Sequence, residues 1–516
     1  MTGQNPGRKI LFVAAENGAL KGAKVGGIAD VVRDLPRALA QRGWQVTVIT
    51  PGYGTIASHN SMEPIGQLGV SFHGLEHQLA LHRLDRAGVE SVVVDHALIT
   101  RDDPGQIYHH DKQNEPFATD ATRFALFATA AATWAREQSF DIIHLHDWHA
   151  APLAILRAYS PEFSALQQAR LVFTIHNLAL QGIRPLRGHS SSLFEWFPTL
   201  EVMPTITDPR WPDCVNLMRA GINLCDRVNT VSKTYAREIL EPDDPEMGFH
   251  GGEGLEADLR QIADSGRLAG IQNGCDYPDD IPGEKLPPSL LLDRIKAALF
   301  VMAAESPVLR TAHMLALARI DSALQHDVKV LITSIGRLTA QKFGLLQQEL
   351  DGRPVLHHLL GAMKPDSLML VLGTGTPDIE MFLTRTAAAF ENLIFVNGFG
   401  ETLADDIYRS GQLFLMPSTF EPSGLSQLLA MRAGQPCLVH AVGGLQDTVT
   451  DGKTGWTFAG DGPEQQARQL TRTFSRAYAE AQLNTNHYQR IRAAATAVRF
   501  SWNDAAREYE ELYQGP

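Results

Sequence analysis

The stretch KILFVAAENGALKGAKVGGIADVVRDLPRALAQRGWQVTVITPG, residues 9–52, decides the fold. It opens on Lys9–Ala15, a short apolar run that reads as a buried strand. A loop follows that holds Gly18, Gly22, Gly26 and Gly27. A helical pattern then runs from about Ile28 to Arg42, with Val31, Val32, Leu35 and Leu39 on one face. Gly43 stops it, as a glycine just past a helix end does. Val46–Thr50 is a second strand, closed by Pro51 and Gly52. Strand, loop, helix, strand is the seed of a parallel, doubly wound sheet.

The same alternation recurs outward from this seed. Ile142–Leu145, Leu171–Ile175 and Arg227–Val231 read as further strands, and Leu268–Gln272 as a weaker one. Ser232 opens a helix that runs to Leu240. A second series begins at Val328–Ser334 and continues with Leu368–Leu372, Leu393–Val396, Leu413–Met416 and Pro436–Val439. Two blocks of alternating strands and helices imply two parallel-sheet domains, 1–276 and 289–498. The Pro- and Asp-rich stretch 277–288 is the expected hinge. In 499–516, Trp502–Tyr513 has an amphipathic helical pattern and no strand of its own.

Length and composition narrow the class. The 516 residues carry 45 Lys and Arg against 58 Asp and Glu, so the net charge is −13. That balance argues against a nucleic-acid coat or a binder of anionic membranes, which need spread positive charge. No run of about 18 apolar residues is present to span a membrane, and no signal-peptide pattern opens the chain. Four cysteines, Cys214, Cys225, Cys275 and Cys437, form no CxxC pair, and a reducing cytoplasmic compartment is expected.

Several loops carry residues suited to chemistry, each with a plain structural alternative. Lys24-Val25-Gly26-Gly27 lies in the first strand-to-helix loop. Glycines there let backbone N–H groups approach an anion, and Lys24 adds a full charge; the alternative is a surface turn. Arg337 and Lys342 sit five apart in the matching loop of the second block. They could clamp a diphosphate, or simply be solvated cations at a helix start. In Phe420-Glu421-Pro422-Ser423-Gly424-Leu425, Ser423 could cap a helix starting at Gly424. Glu421 could accept hydrogen bonds from sugar hydroxyls, or merely complement a helix dipole. His144, His146 and His149 look like metal-ligand material, but no carboxylate or Cys at matched spacing completes a site, so no metal is expected. His176 stands at the C-terminal end of a strand, where open parallel sheets bind ligands; a structural histidine is the alternative. Gly452-Lys453-Thr454 is not a P-loop, because Asp447 stands where the first Gly is required.

Taken together, these motifs resemble the bacterial and plant-type glycogen (starch) synthases, retaining glucosyltransferases that use ADP-glucose. The resemblance rests on KVGGIADVVRDLP (24–36), HLHDWHA (144–150), TIHNLALQG (174–182) and VSKTYAREIL (231–240). It continues with GRLAGIQNGCD (266–276), GRLTAQK (336–342), PSTFEPSGLSQL (417–428) and VGGLQDTV (442–449). It implies the GT-B fold, two Rossmann-like domains facing across a deep cleft, with the last helix returning to the first domain. It implies catalytic roles for Lys24, His176, Arg337, Lys342 and Glu421. Donor binding would involve Gly26, Gly27, Asp30, Asn273, Phe399, Ser423, Gly424 and Leu425, and Asp147 would line the acceptor cleft. The partners implied are ADP-glucose and an α-1,4-glucan, with no cofactor, metal, nucleic acid or membrane.

The chain also departs from the family pattern. Ser423 stands where the family commonly has Cys, Gly400 where some members have His, and Phe343 where Gly is usual. The stretch 277–325 lacks the usual signals. A related GT-B enzyme using UDP-glucose or a short acceptor, and an inactive glycan-binding relative, are the alternatives. Lys24, Arg337, Lys342 and Glu421 together argue against the inactive relative, which has no need of a phosphate clamp.

Overall fold

The computed structural model describes residues 7–101, 103–109, 111–112, 115–201, 204–277, 286–305 and 310–515. Most of the expected hinge, 278–285, lies outside the described residues. The chain divides into two compact units. The first takes the chain up to Asp243, then Gly251–Asp276 and the stretch from Ser501; the second takes Asp244–His250 and Tyr277–Phe500.

The first unit is built on β1 (Lys9–Val13), β2 (Gln45–Pro51), β3 (Glu63–Phe72), β4 (Leu75–Arg86), β5 (Val89–Asp95), β6 (Ile142–His146) and β7 (Arg170–Ile175). A separate antiparallel ribbon pairs β8 (Ile183–Pro185) with β9 (Cys214–Asn216), and β10 (Arg227–Thr230) and β11 (Leu268–Gly270) complete the main sheet. The sheet order is β11-β10-β7-β6-β1-β2-β5-β4-β3. Parallel pairing runs from β11 to β5, with Ile10 opposite both Val46 and Ile142. Helix Gly27–Gln41 crosses from β1 to β2, as the spacing of its apolar residues requires.

One edge departs from the all-parallel expectation. β3, β4 and β5 form an antiparallel meander. Leu68, Val70 and Phe72 on β3, and Leu79 and Leu81 on β4, are buried at every second position. That period-two pattern suits a half-solvated antiparallel edge rather than a doubly covered parallel one. The turn between them, His73-Gly74, holds both residues at positive φ, 54° and 69°, which matches the right-handed twist of a two-residue hairpin.

Helix Trp502–Gln514 belongs to the first unit. Trp502, Ala505, Ala506, Tyr509 and Tyr513 form its buried stripe, in one apolar cluster with Val31, Leu35 and Leu39. Glu510 accepts from Arg42 Nη2 at 2.6 Å and from Trp44 Nε1 at 2.8 Å. Gly274 lets the chain pass against Trp502, where a Cβ would lie 2.6 Å from its backbone nitrogen.

The second unit holds β12 (Val330–Ile335), the short antiparallel ribbon β13 (Glu349–Leu350) and β14 (Arg353–Pro354), then β15 (Ser367–Gly373), β16 (Leu393–Asn397), β17 (Leu413–Met416), β18 (Cys437–His440) and β19 (Gly455–Phe458). Its main sheet, β16-β15-β12-β17-β18-β19, is parallel throughout. Alternate residues feed opposite cores: Ile332, Met369, Val371 and Phe395 on one face, Leu331, Leu370, Leu372 and Ile394 on the other. Burial on both faces is why these strands read in sequence as unbroken apolar runs.

Core packing leaves no slack behind β7. A Cβ at Gly221 would lie 2.4 Å from the ring of buried Phe173. Gly221→Val is expected to destabilise the fold by about 1–3 kcal/mol through overpacking. A fall in the urea midpoint measures this; an unshifted midpoint would mean that Phe173 yields without cost.

Candidate active site

In open parallel sheets, ligands gather beyond the C-terminal strand ends, at the pair of strands where the winding reverses. That pair is β1/β6 in the first unit and β12/β17 in the second. The candidate residues follow the C-terminal ends of these strands and of others in the same sheets. In the first unit Lys24 follows β1, Asp147 follows β6, His176 follows β7 and Asn273 follows β11. In the second, Arg337 and Lys342 follow β12, Phe399 follows β16 and Glu421 follows β17.

The first unit's half is organised by a residue that sequence reasoning missed. Glu16, only 2% exposed, accepts through Oε2 from the backbone N–H groups of Val25 and Gly26, each at 2.6 Å. Tyr108 donates its hydroxyl to Glu16 Oε1 at 2.7 Å. A buried carboxylate needs such donors, and here it supplies the anion that the glycine loop is built to hold. The N–H of Gly26 is therefore engaged internally, whereas Gly27 opens the helix, where an N–H has no intrahelical acceptor. Lys24 Nζ lies 2.9 Å from Asp30 Oδ1, and Arg33 Nη1 lies 3.0 Å from the same oxygen. Asp30 thus holds the lysine in place from the first turn of the helix. The signal for Glu16 was local, a charge directly after an apolar strand; Tyr108 gave none, being 92 residues away.

Beside it, Asp147 adopts a positive φ of 56° and accepts from the His176 backbone N–H at 2.8 Å. Burial pushes its carboxyl up to about 8, against the pull of the His176 and Asn177 N–H groups. His176 Nε2 lies 2.9 Å from His146 Nδ1, so one ring donates and the other accepts. Burial lowers His176 to about 3 and His146 well below the usual range, so both rings are neutral at pH 7. His149, also lowered to about 3 by burial, stacks on Trp148 at 4.2 Å. His146 Nε2 and Asn273 Oδ1 are buried without a protein partner. His144 plays a structural part instead: Nδ1 meets the Tyr513 hydroxyl at 2.9 Å and Nε2 meets Thr174 Oγ1 at 2.6 Å. Among the described residues, no group of three or more His, Cys, Asp or Glu is placed to hold a metal.

These shifts set the acid limit of the fold. His144, His146, His149 and His176 are neutral when folded but take up protons below about 6.5 when unfolded, so their stability is lost as pH falls. Asp147, and Asp120 raised by burial to about 6, act in the opposite sense above the usual carboxylate range. His440, lowered by burial to about 4, joins the histidines, and five imidazoles against two carboxyls leave about three protons taken up on unfolding between pH 6 and 4. The urea midpoint is expected to drop from pH 7 to pH 5; a flat profile would contradict this balance. Above pH 6.5, Asp147 alone of this group remains, and stability should decline gently towards pH 8.

The second unit's half joins two loops. Lys342, in the first turn of helix Ala340–Gln347, places Nζ 2.7 Å from Glu421 Oε2, and Ser418 Oγ donates to that oxygen at 3.1 Å. The loops are stitched by the backbone: Thr419 N–H donates to Gln341 O at 2.7 Å, and Gln341 Nε2 to Phe420 O at 3.0 Å. Arg337 is exposed at the end of β12. The expected cap is corrected here. The helix after Glu421 begins at Ser426 with Leu425 at its N-cap, so Ser423 does not cap it. Gly424 turns the chain through a left-handed φ of 71°, which delays the helix by two residues. The carbonyls of Ser423 and Gly424 are instead held by Gln427 Nε2 at 3.1 and 3.0 Å. Phe399 leaves 62% of its surface exposed just before helix Glu401–Ser410. Phe343, at the position where the resembled family usually has Gly, is buried in one core with Leu338, Leu345 and Leu346.

Two doubly wound sheets with charged groups beyond the strand ends at both switch points define a class, the glycosyltransferases of GT-B fold. Comparison with known proteins supports it. Residues 9–261 match the starch synthase catalytic domain, and residues 329–476 match the glycosyl transferases group 1 family. The chain is 34% identical to the glycogen synthase of Streptococcus sanguinis over 520 residues, covering 98% of this chain and 99% of that one. The glycogen synthase of Anaeromyxobacter sp. is also 34% identical, with the same coverage. The solved catalytic domain of starch synthase IV from Arabidopsis thaliana, bound to ADP and acarbose, superposes with a TM-score of 0.75 at 25% identity, covering 98% and 99% of the two chains. Sucrose-phosphate synthase from Thermosynechococcus elongatus, at 18% identity and a TM-score of 0.54 over 98% of each chain, shares the fold. The chain belongs to the glycogen/starch synthase family. No helix among the described residues is long and apolar enough to cross a membrane.

Proposed function

We propose that the protein is a retaining glucosyltransferase that lengthens an α-1,4-glucan with glucose from ADP-glucose. The observation that carries this reading is the Lys342–Glu421–Ser418 cluster at the β12/β17 switch point, a cation and a carboxylate paired at 2.7 Å with a hydroxyl donating to the same oxygen. Arg337 and Lys342 neutralise the diphosphate as the bond from glucose C1 to the phosphate oxygen breaks. Positive charge placed where negative charge develops stabilises the transition state, and the reading therefore needs no metal. The acceptor 4-hydroxyl forms the new bond to C1 on the face that the diphosphate leaves, and its proton passes to the departing phosphate oxygen. Glu421 accepts from glucose hydroxyls. The N–H groups of Gly424 and Leu425 hold phosphate, and Phe399 packs on the adenine. His176, neutral at working pH, hydrogen-bonds glucose without adding charge beside a cation-like C1, and Asp147 holds its backbone in place. Within the first unit, Lys24, Gly27 and Asn273 are the candidates for contacts to phosphate and sugar. The starch synthase IV structure contains ADP, the product nucleotide this reading expects. A cytoplasmic setting fits the four cysteines, none of which is in a disulfide.

Incubation with glycogen and labelled ADP-glucose or UDP-glucose tests the reading. Chain extension from ADP-glucose is expected. Transfer from UDP-glucose alone would overturn the donor assignment, and transfer from neither would overturn the activity.

A further inference from the structure

We propose that Gln427 is a positioning residue that aims the backbone N–H groups of Gly424 and Leu425 at the donor's phosphate. The proposal rests on the reading above that those two N–H groups hold phosphate, and it names the side chain that points them there.

Gln427 is fully buried, in helix Ser426–Arg432. Its Nε2 donates to Ser423 O at 3.1 Å and to Gly424 O at 3.0 Å. A third acceptor, Thr448 Oγ1, lies 3.2 Å away, and the Thr448 hydroxyl donates in turn to Gly444 O at 2.6 Å. A trans peptide is a rigid plane whose N–H points opposite to its C=O. Ser423 O belongs to the same peptide as the Gly424 N–H, and Gly424 O to the same peptide as the Leu425 N–H. Holding the two carbonyls therefore sets the direction of the two N–H groups and turns them away from Gln427. A donor on a carbonyl also polarises its peptide, which strengthens the N–H at the other end. Among the described residues, neither N–H donates to a protein group.

The backbone shape supports the same role. Gly424 has a left-handed φ of 71°, and Leu425 returns to the right-handed region at φ −117°, ψ −30°. Such alternation brings successive N–H groups round to one concave side, a shape that binds anions. A Cβ at Gly424 would lie 2.4 Å from Gln427 Oε1, so the glutamine and the glycine fit only each other. Gly444 braces the loop as well: its N–H donates to Glu421 O at 3.0 Å, and a Cβ there would lie 2.2 Å from Ser423 O. The sugar-side carboxylate and the phosphate-side N–H groups thus share one mount. Packing alone does not account for Gln427. Its Oε1 is buried without a protein partner, a cost that an apolar side chain of similar size would avoid. The reverse setting of the amide would press that oxygen against two carbonyls. The unsatisfied oxygen is the consequence of committing the amide's donors to the loop.

Equilibrium titration with ADP and with UDP, without acceptor, tests this role. Gln427→Met keeps the length of the side chain and removes its donors. It is expected to weaken nucleotide binding about tenfold. In transfer assays kcat should also fall, because charge on the phosphate grows as the bond breaks, while the KM for glycogen stays near the wild-type value. Gln427→Glu gives a readout that loss of packing would not. Burial pushes its carboxyl up, and only the protonated form can donate to a carbonyl. The ratio of its nucleotide Kd to that of wild type is expected to fall as the pH is lowered from about 9 to about 6, whereas the ratio for Gln427→Met stays level. Equal nucleotide affinity in wild type and Gln427→Met, or a Gln427→Glu ratio that does not move with pH, would overturn the positioning role. Binding of UDP but not ADP, with the same losses in the variants, would leave that role standing and overturn the donor assignment alone. Binding of neither nucleotide by wild type would overturn both.

Discussion

Lys342→Ala is expected to lower kcat by about 100- to 1000-fold, with a much smaller change in the KM for donor. The size follows from removing one well-placed charge from a group that develops negative charge in the transition state, about 2.7–4 kcal/mol in comparable sites. The direction follows from differential binding: a contact that strengthens as the diphosphate leaves acts on kcat, whereas one equally strong in the ground state acts on KM. Lys342 is well placed for this because it does not wander. Its ammonium is held 2.7 Å from Glu421, and its helix is tied to the Glu421 loop through Gln341. The variant also strands Glu421 without its cation, a cost that can appear as lost stability. Lys342→Arg separates the two effects: charge is kept and the fold with it, but the planar fork changes the geometry. An alanine variant with unchanged kcat would remove Lys342 from the chemistry.

Glu421→Gln is expected to lower kcat by about 100-fold while leaving the fold intact. Gln preserves the shape and can still meet the Ser418 hydroxyl, which now donates to Oε2 at 3.1 Å. It loses the charge that both orders Lys342 and accepts strongly from sugar hydroxyls. Because Lys342 and Glu421 touch, their effects should not add. The double variant Lys342→Ala with Glu421→Gln is expected to be little worse than the poorer single one. Full additivity would mean that the two act separately and that the observed pair is incidental.

Much of the architecture was legible because it is local. Apolar runs doubly covered by helices, glycine loops after them and the 3.6-residue stripe of Gly27–Gln41 are all readable within about fifteen residues. The parallel strands recognised in sequence match those observed to within one or two residues, as at Leu413–Met416 and Leu393–Asn397. The meander β3–β5 was not recognised, although its alternation and the His73-Gly74 turn were present in the sequence. The cap assigned to Ser423 failed because a left-handed Gly424 shifts the helix start, a backbone event that composition does not announce.

What the sequence by itself determined is the repeated strand–helix winding and the residue types placed after each strand, since both depend on short-range periodicity and on the chemistry of single loops. Only the tertiary structure decided which of those loops meet. Lys342 and Glu421 are 79 residues apart, Tyr108 and Glu16 are 92 apart, and His146 and His176 are 30 apart. Lys342 and Glu421, and His146 and His176, are partners because the sheet order sets β12 beside β17 and β6 beside β7. Burial at those junctions then makes His176 neutral and pushes Asp147 up, and desolvation of that kind arises only when distant chain segments close over a group.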